Sequence, residues 1–263
     1  MSPEGASHGS DAPGRCREPD ATTAFPAGRV GEDAGPAEAV GSRSGTTTDR
    51  EVATEALLRR FCAEMLVSGK RVTAVPAEEA WTRHIEDGRR GLTLVDAEPA
   101  GSIIDVGSGN GVPGLVLAIE RPDRDVVLLE ANGRKAASLN ALAASLGLPH
   151  VSVLSERAET AAAGLHRDRH AIAVSRALAP PVVTVEYCLP LVRPGGCLIA
   201  WLGTFDAKSL GAAARELGGD AERVLRVPGS RQQALVVIRK TEATPPQFPR
   251  RPGMAAKKPI VAT

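Results

Sequence analysis

A glycine-rich loop between two apolar stretches constrains this chain most, in the sequence "IIDVGSGNGVPGLVLAI". Residues 102–106 are mostly apolar and partly β-branched, which predicts a short buried strand. Gly107, Gly109 and Gly111 follow, and residues without a Cβ permit positive φ and a close approach of a ligand to the backbone. Pro113 suits the first turn of a helix that continues through residues 115–119. The pattern predicts a strand, a ligand loop and a helix N-terminus with free N–H groups.

Three interpretations of this loop are open. Gly109, Gly111 and Gly114 match the G-x-G-x-x-G of dinucleotide-binding proteins, but this register starts late, after the strand has ended at Val106. The register that begins at Asp105, with glycine at every second position after it, resembles motif I of class I S-adenosylmethionine-dependent methyltransferases. A simple turn without a ligand is the third interpretation, although so many glycines cost backbone entropy that such a turn need not lose.

Further strands with polar ends follow the loop. Residues 125–130, "DVVLLE", predict a second strand ending in Glu130, where nucleotide-binding folds place a ribose-binding carboxylate; a solvated strand-end acid fits the same pattern. Residues 151–154 predict a third strand, "AIAVSRALAP" a fourth, and "LPLVRPGGCLIAWLG" a helix end, a Pro-Gly-Gly turn and a fifth strand. The last block resembles methyltransferases and has no counterpart in the dehydrogenase fingerprint. S-adenosylmethionine is therefore the predicted cofactor.

The composition is that of a globular α/β protein. Its 263 residues, 43% of them hydrophobic, suffice for one such domain with appendages. Because the net charge is only +1, any basic surface must be local. The four cysteines show neither C-x-x-C nor zinc spacing, which favours reduced, buried thiols and predicts no metal site. No apolar run approaches membrane-spanning length and no signal peptide is evident, so we expect a cytoplasmic protein without a membrane partner.

Four segments differ in their patterns. Residues 1–50 are rich in Gly, Ala, Pro and Ser with almost no apolar periodicity, which predicts a disordered N-terminal tail. Residues 51–98 carry two helical patterns and predict a helical cap. Residues 99–240 alternate strands and helices, which predicts a Rossmann-like domain. Residues 241–263 form a basic, proline-containing C-terminal tail.

Within these segments, the elements can be placed approximately. The two cap helices are predicted over residues 51–69 and 77–88. Two further strands are predicted near residues 223–227 and 234–238, after the fifth.

Several stretches together resemble the bacterial small-subunit ribosomal RNA guanine-N7 methyltransferases, the glucose-inhibited division protein B family. They are "HIED", the glycine loop with "GVPG", "SERAE", "VSRALAP", "LVRPGG" and the tail "FPRRPGMAAKKPI", and the resemblance spans residues 52–260. It implies an α/β, Rossmann-like class I methyltransferase fold with a mostly parallel seven-stranded sheet, helices on both faces and a small N-terminal helical cap. It also implies methyl transfer to N7 of a guanine in 16S ribosomal RNA of the small ribosomal subunit.

The resemblance also implies which residues bind S-adenosylmethionine. They are Gly107, Val112, Glu130, Ala158, Glu159 and Arg176. In that order, the first two would contact the methionine end, Glu130 the ribose and the next two the adenosine. Arg176 would lie above the carboxyl ends of the strands near the methyl group, unless it is a structural arginine paired to an acid such as Asp105.

Three residues outside this set are candidates for contact with RNA. Arg134 and Lys135 begin the helix after the second strand, and a plain solvated helix face is an equal alternative. His84 could touch RNA or cofactor, but a packed helix histidine is the preferred interpretation.

The C-terminal tail carries four cations interleaved with prolines and Phe248, which favours an extended basic strap over a helix. A disordered basic tail is the alternative. The four cations, which would contact RNA phosphates, are Arg250, Arg251, Lys257 and Lys258.

Methylation of guanine N7 needs no general base, because N7 carries an in-plane lone pair and no proton, so no catalytic acid or base is assigned. Two other functions stay open. One is a class I methyltransferase acting on a small metabolite, which would not need a basic tail. The other is a non-catalytic cofactor-binding or ribosome-binding module, against which the intact glycines and Glu130 argue.

Overall fold

Seven strands form the centre of the computed structural model, which describes residues 47–67, 75–227 and 233–261. Most follow the predicted apolar runs, and the four residues of the first strand are all buried. The strands are β1 (Ile103–Val106), β2 (Val126–Leu129), β3 (Val151–Leu154), β4 (His170–Arg176), β5 (Val192–Leu202), β6 (Gly219–Arg226) and β7 (Ala234–Lys240).

The sheet has the order β3-β2-β1-β4-β5-β7-β6. The first five strands in this order are parallel, and β7 runs antiparallel to both of its neighbours. The predicted α/β fold with a mostly parallel seven-stranded sheet is therefore confirmed. Because the connection from β3 returns the chain to β4 beside β1, the strand order reverses there, at the point where open α/β sheets bind ligands.

Helices precede, connect and follow the strands. α1 is much the longest, and the cap also contains a 3₁₀ turn (Ala77–Glu79) and a π-helix (Trp81–Glu86). The α-helices are α1 (Thr47–Val67), α2 (Asp87–Arg89), α3 (Leu92–Ala97), α4 (Gly114–Glu120), α5 (Gly133–Ser145), α6 (Ala158–Ala163), α7 (Pro181–Cys188), α8 (Ala207–Glu216) and α9 (Met254–Lys257).

Two apolar cores lie on the two faces of the sheet. On one face the cap, α4 and α5 pack against alternate strand residues, as Phe61 and Leu115 do in the core that contains Ile103. On the other face α6, α7 and α8 form a core with the intervening residues, including Ile104. Successive side chains of a strand point to opposite faces, so each buried strand supplies both cores.

The cap helix predicted over residues 77–88 is divided. It consists of the 3₁₀ turn, the π-helix and α2 in succession, with His84 and Ile85 buried. Apolar spacing reports which residues face the core, but it does not distinguish an i→i+4 from an i→i+5 hydrogen-bond pattern. The burial of His84 agrees with the preferred interpretation of a packed helix histidine.

The predicted Pro-Gly-Gly turn lies inside β5 rather than before it. The strand runs from Val192 to Leu202, with residues 193–195 exposed, and its register with β4 shifts between His170 and Ile172. A Cβ on Gly196 would lie 2.3 Å from the carbonyl oxygen of Ala171. Glycine therefore lets β5 approach β4 closely enough to continue through the irregularity.

The C-terminal tail is folded against the domain, so the prediction of an extended strap is wrong. Phe248 is buried in the core with α7, and the chain ends in turns and the short helix α9. Arg167 donates hydrogen bonds to the carbonyl oxygens of Phe248, Thr244 and Pro245. These contacts satisfy backbone groups that the prolines leave without ladder partners.

Some sequence-based expectations concern other parts of the chain. The predicted N-terminal tail, apart from the residues that begin α1, lies outside the described residues, as does Cys16. Cys62, Cys188 and Cys197 are buried and unbridged, as expected of reduced thiols. In the described ranges, no helix combines the length and apolar character needed to cross a bilayer.

If the tail is part of the fold, truncating Phe248 must destabilise the whole domain. We expect Phe248→Ala to lower the free energy of unfolding by about 3 kcal/mol, because it removes a buried aromatic ring. Chemical denaturation monitored by circular dichroism measures this change. The exposed Lys257→Ala in α9 is the control and should change stability by less than about 0.5 kcal/mol. Equal stability of the two variants would mean that the tail is not part of the cooperative unit.

Candidate cofactor and substrate site

A cavity of about 460 Å³ lies at the carboxyl ends of β1, β2 and β4. The strand order reverses beside it, and the loops after these strands form its walls. All six residues predicted to bind the cofactor line this cavity: Gly107, Val112, Glu130, Ala158, Glu159 and Arg176. The fold thus brings together residues that are up to about seventy positions apart in the sequence.

The glycine loop forms one wall of the cavity. Gly107 has φ +74°, a left-handed conformation that side chains with a Cβ rarely adopt. A Cβ at this position would lie 2.4 Å from Cδ1 of Leu178, which also lines the cavity. The N–H of Gly107 donates to the carbonyl oxygen of Leu129, so the loop turns back onto the end of β2. The backbone at Gly107 is therefore open to a ligand only because this residue is glycine.

Glu130 joins the loop after β1 to the loop after β2. Its Oε2 accepts the N–H of Gly109 at 3.0 Å, and its Oε1 accepts the N–H of Asn132 at 2.8 Å. The residue is 8% exposed, so it is not the solvated strand-end acid of the alternative interpretation. A carboxylate fixed in this way presents its remaining lone pairs to the cavity and suits a pair of ribose hydroxyls.

Asp105, at the end of β1, supports the loop from behind. Its Oδ2 accepts the N–H of Gly114 at 3.0 Å and fixes the beginning of α4. The side chain is buried, and Oδ1 has no hydrogen-bond partner among the described residues. Burial raises the pKa of this carboxyl to about 7, against the opposing hydrogen bond from Gly114. Asp105 does not line the cavity, so its role is to hold the glycine loop on the helix.

The far wall of the cavity comes from the loop after β3. Ala158 and Glu159 begin α6, and Tyr187 of α7 lies across the same wall. Glu159 is 7% exposed, and its Oε1 accepts the N–H of Gly253 in the C-terminal tail at 2.8 Å. Sequence patterns did not connect the tail with this wall, because the two segments are almost a hundred residues apart.

Arg176 ends β4 and lies between the cavity and the cap. One nitrogen, Nη1, donates to Oδ2 of Asp87 at 3.0 Å and to the carbonyl oxygen of Arg83 at 2.9 Å. The other, Nη2, lies 3.2 Å from Nδ1 of His84. Burial, followed by the charge of Arg176, lowers the pKa of His84 to about 4, so this histidine is neutral at pH 7. The alternative of an arginine paired to an acid agrees with this contact, but the acid is Asp87 of the cap and not Asp105.

A second cavity, of about 610 Å³, adjoins the first on the other side of Arg176. Arg176 and Ala177 line both cavities, and Asp87, Arg90 and Trp201 line only the second. The indole Nε1 of Trp201 donates to the carbonyl oxygen of Asp87 at 3.0 Å, which fixes the cap against β5. The sequence patterns assigned no role to Asp87 or Trp201. The "HIED" motif contained the signal for Asp87, which lies one helical turn after His84.

The predicted RNA-facing cations lie in different surroundings. Lys135 lines the rim of the first cavity, and Arg134 is exposed one residue earlier on α5. Among the tail cations, Arg250 forms a bidentate ion pair with the buried Glu186, which offsets its charge. The remaining three tail cations are exposed: Arg251, Lys257 and Lys258. In the part of the chain that the structure describes, no three potential metal ligands converge.

Comparisons with known proteins agree on one family. The sequence model of the family described as rRNA small subunit methyltransferase G matches residues 55–238. The protein named ribosomal RNA small subunit methyltransferase G from Moorella thermoacetica is 39% identical over 215 residues, which cover 78% of this chain and 90% of that protein. Its namesake from Rubrobacter xylanophilus is 37% identical over 212 residues, which cover 75% of this chain and 81% of that protein.

Solved structures share the fold at lower sequence identity. A mutant of MtNAS in complex with S-adenosylmethionine is similar with a TM-score of 0.50 and 17% identity, over 73% of this chain and 76% of that chain. MtNAS in complex with MTA and tNA gives the same TM-score at 16% identity, over 73% of this chain and 74% of that chain. These likenesses concern the arrangement of helices and strands.

If the loop backbone at Gly107 approaches the cofactor, a branched side chain there must prevent binding. We expect Gly107→Val to weaken S-adenosylmethionine binding by about tenfold or more, because its Cβ fills the approach and displaces Leu178. It should also cost about 1–3 kcal/mol of stability through the positive φ. Isothermal titration calorimetry measures the affinity.

Gly147→Val is the matched control, because Gly147 has φ +68°, has no atoms within 4 Å of an added Cβ and does not line the cavity. It should lose similar stability and keep its affinity. Undiminished binding by folded Gly107→Val would contradict the assignment of the loop.

Proposed function

Because the chain belongs to the rRNA small subunit methyltransferase G family, we propose that it transfers a methyl group from S-adenosylmethionine to N7 of a guanine in the 16S ribosomal RNA of the small subunit. The observation that carries the proposal is the pair of adjoining cavities that meet at Arg176. One cavity suits a nucleoside cofactor and the other suits a base. A methyl transferase requires both to open on the same point.

The first cavity accommodates the chemical groups of S-adenosylmethionine. In this proposal Glu130 accepts hydrogen bonds from the ribose, and Gly107 and Val112 contact the methionine end. Ala158 and Glu159 contact the adenosine, whose amine is a donor that a carboxylate accepts. The fixed carboxylate of Glu130 and the open backbone at Gly107 support this placement.

When bound, S-adenosylmethionine supplies an electrophilic methyl group on a positively charged sulfur. Guanine N7 supplies the electron pair for the new C–N bond, and the electrons of the broken C–S bond remain on sulfur. No proton is transferred at N7, so the protein needs no general base and we assign none. The contribution of its residues is in-line placement of the two reactants and exclusion of water.

In this proposal the second cavity receives the guanine. Arg176 lines both cavities, and its guanidinium is a donor that suits the O6 acceptor of guanine, which leaves the lone pair of N7 free to attack the methyl group. Positive charge moves onto the base during transfer, and an unpaired arginine there would oppose it. The carboxylate of Asp87 lies 3.0 Å from Arg176 and also accepts a hydrogen bond from Arg90 at 2.7 Å, so it offsets part of the charge beside the base and holds Arg176 in one position. Asp87 is therefore proposed to be a positioning residue that orients Arg176 and, through it, the guanine.

Exposed cations around the two cavities suit the phosphates of the small subunit RNA. Lys135 and Arg157 line the first cavity. Arg83 and Arg90 line the second, where Glu79 and Asp87 offset part of their charge. Three tail cations add to them, while Arg250 does not. Such contacts supply affinity that is independent of sequence, and the cavity beside Arg176 supplies the choice of base.

The reaction is tested by supplying the purified protein with methyl-labelled S-adenosylmethionine and small ribosomal subunits from a strain that lacks this protein. We expect label in 16S ribosomal RNA at a single guanine. Cleavage chemistry that recognises 7-methylguanine locates the modified atom. Label on a different atom of the RNA would contradict the N7 assignment, and label only in small metabolites would favour the metabolite methyltransferase.

Loss of the Asp87 carboxylate tests the role of the cap. We expect Asp87→Asn to lower kcat for ribosomal RNA about tenfold to a hundredfold, because Arg176 loses its charge partner and its fixed position. Affinity for S-adenosylmethionine should change less than twofold. Single-turnover methylation and calorimetry measure the two quantities.

Asp96→Asn is the control, because it removes the acid of another arginine pair, with Arg121 on an outer surface. This variant should keep its kcat. An Asp87→Asn enzyme with unchanged kcat would show that the ion pair only joins the cap to the sheet.

The exposed tail cations are tested together. We expect the triple variant Arg251→Gln, Lys257→Gln and Lys258→Gln to weaken binding to small-subunit RNA and to flatten its salt dependence. For every phosphate that the tail no longer neutralises, the log–log slope should fall by about 0.7 to 0.9. Binding isotherms between low and physiological salt provide the slope.

The matched control removes three cations outside the tail, through Arg59→Gln, Arg193→Gln and Lys208→Gln, all at exposed positions. It should leave the slope closer to that of the parent protein. Equal slopes for the two triple variants would exclude a specific contribution of the tail to RNA binding.

A further inference from the structure

The C-terminal tail reaches the wall of the first cavity and bonds to it. The N–H of Gly253 donates to Oε1 of Glu159 at 2.8 Å, and Glu159 lines the cavity. Earlier in the tail, Arg250 donates from both Nε and Nη2 to the buried Glu186. Glu186 precedes Tyr187, another residue of the cavity wall. The tail thus touches both α6 and α7 where these helices border the cavity.

The path of the tail is fixed before it reaches this wall. Asp168 accepts hydrogen bonds from the N–H and the hydroxyl of Thr244, and the fully buried Lys240 donates to the same hydroxyl at 2.6 Å. Arg167 holds three carbonyl oxygens of the following residues, and Phe248 is buried in the core. Residues 244–250 are therefore held at several points. The last of these contacts, between Arg250 and Glu186, places Gly253 beside Glu159.

The contact with Glu159 depends on the local conformation of the tail. Gly253 has φ +81°, and it precedes α9, so the backbone turns there with its N–H directed at the carboxylate. The hydrogen bond engages Oε1 of Glu159, a side chain with rotatable χ angles. The same oxygen lies 4.0 Å from Nη1 of Arg157, which is a weak contact. A hydrogen bond from a fixed backbone N–H restricts such a carboxylate to one orientation.

We propose that the segment from Arg250 to Gly253 is a positioning element for the adenine end of the cofactor. It orients the Glu159 carboxylate so that its other oxygen accepts the amine of the adenine ring. The Arg250–Glu186 ion pair holds the segment at the wall. This inference rests on the proposed function, because it assigns Glu159 to the adenosine. It gives the tail a second role, separate from contact between its exposed cations and RNA.

Two simpler roles of the tail lead to different results. If the tail only stabilises the fold, removing Arg250 lowers the melting temperature but leaves cofactor selectivity unchanged. If the tail otherwise only binds RNA, removing Arg250 again leaves the selectivity unchanged, and the unpaired buried Glu186 alone lowers the melting temperature. A positioning role predicts loss of selectivity for the adenine amine in particular.

The test compares two ligands of the full-length protein, S-adenosylhomocysteine and its analogue with an unsubstituted purine, which lacks the amine. We expect the parent protein to prefer the amine-bearing ligand by about tenfold or more, since a hydrogen bond to a carboxylate disappears with the amine. Arg250→Met should reduce this preference below about threefold, through weaker binding of S-adenosylhomocysteine alone. Calorimetry gives both dissociation constants.

Arg239→Met is the matched control. Arg239 forms a bidentate ion pair with Glu98, whose side chain is 7% exposed, at the opposite end of the strands from the cavity. This variant also leaves a buried glutamate without its arginine, so it should lower the melting temperature while keeping the ligand preference. A preference that Arg250→Met retains, with lowered melting temperature or without, overturns the positioning role.

Two further variants keep the test decisive. If Arg250→Met does not fold, the double variant Glu186→Gln with Arg250→Met removes the unpaired buried charge and should show the same loss of preference. Glu159→Gln establishes that the preference reports on this carboxylate. A parent protein without any preference, or a Glu159→Gln variant that keeps it, would overturn the assignment of Glu159 to the adenosine and the tail inference with it.

Discussion

The parallel strands β1, β2 and β4 end at the same edge of the sheet. There one carboxylate, that of Glu130, joins the loops that follow β1 and β2. Glu130 accepts N–H groups from the loops after β1 and β2, so it fixes the separation of the two loops that border the first cavity. Gly107 can adopt its left-handed conformation beside Leu178 only without a Cβ. Asp105 fixes the start of α4 from behind. These three residues therefore fix the loop that borders the first cavity.

Two segments outside the alternating core complete this edge of the sheet. The cap contributes Asp87, which holds Arg176 between the two cavities, and the tail contributes Gly253, which holds Glu159. In both contacts an arginine or a backbone N–H meets a carboxylate, so the geometry is directional and charge-assisted. The core alone supplies the strand ends and fixes Glu130, whereas Arg176 and Glu159 are held by segments far from them in the sequence. If the proposed site is right, changes in the cap or tail alter binding or turnover without touching either ligand.

Most of the fold could be predicted from local patterns, and part of the site could be predicted with it. β1 to β3 coincide with short apolar runs. The predicted cofactor residues lie at the end of a strand or in the loop or helix after it, so the parallel sheet collects them at one edge. The partner of Arg176 could not be predicted, because the "HIED" motif marks Asp87 but does not relate it to residue 176. The tail was predicted to be extended because prolines discourage helices, but the hydrogen bonds from Arg167 to its carbonyl oxygens depend on tertiary structure.

The distribution of charge shows why a net charge of +1 is compatible with a polyanionic substrate. Two of the acids that line the first cavity, Glu130 and Glu159, are buried and accept backbone N–H groups, whereas Glu156 on the same cavity is exposed. In the proposed site the two buried acids accept hydrogen bonds from the cofactor, and burial shields their charges from the outer surface. Lys135 and the exposed tail cations lie outside them and face solvent. Counting all four cations of the tail sequence overestimates the number that face solvent, because the charge of Arg250 is offset by the buried Glu186. An RNA-binding surface of this kind is therefore determined by which cations the fold leaves without an acid, and the net charge does not report it.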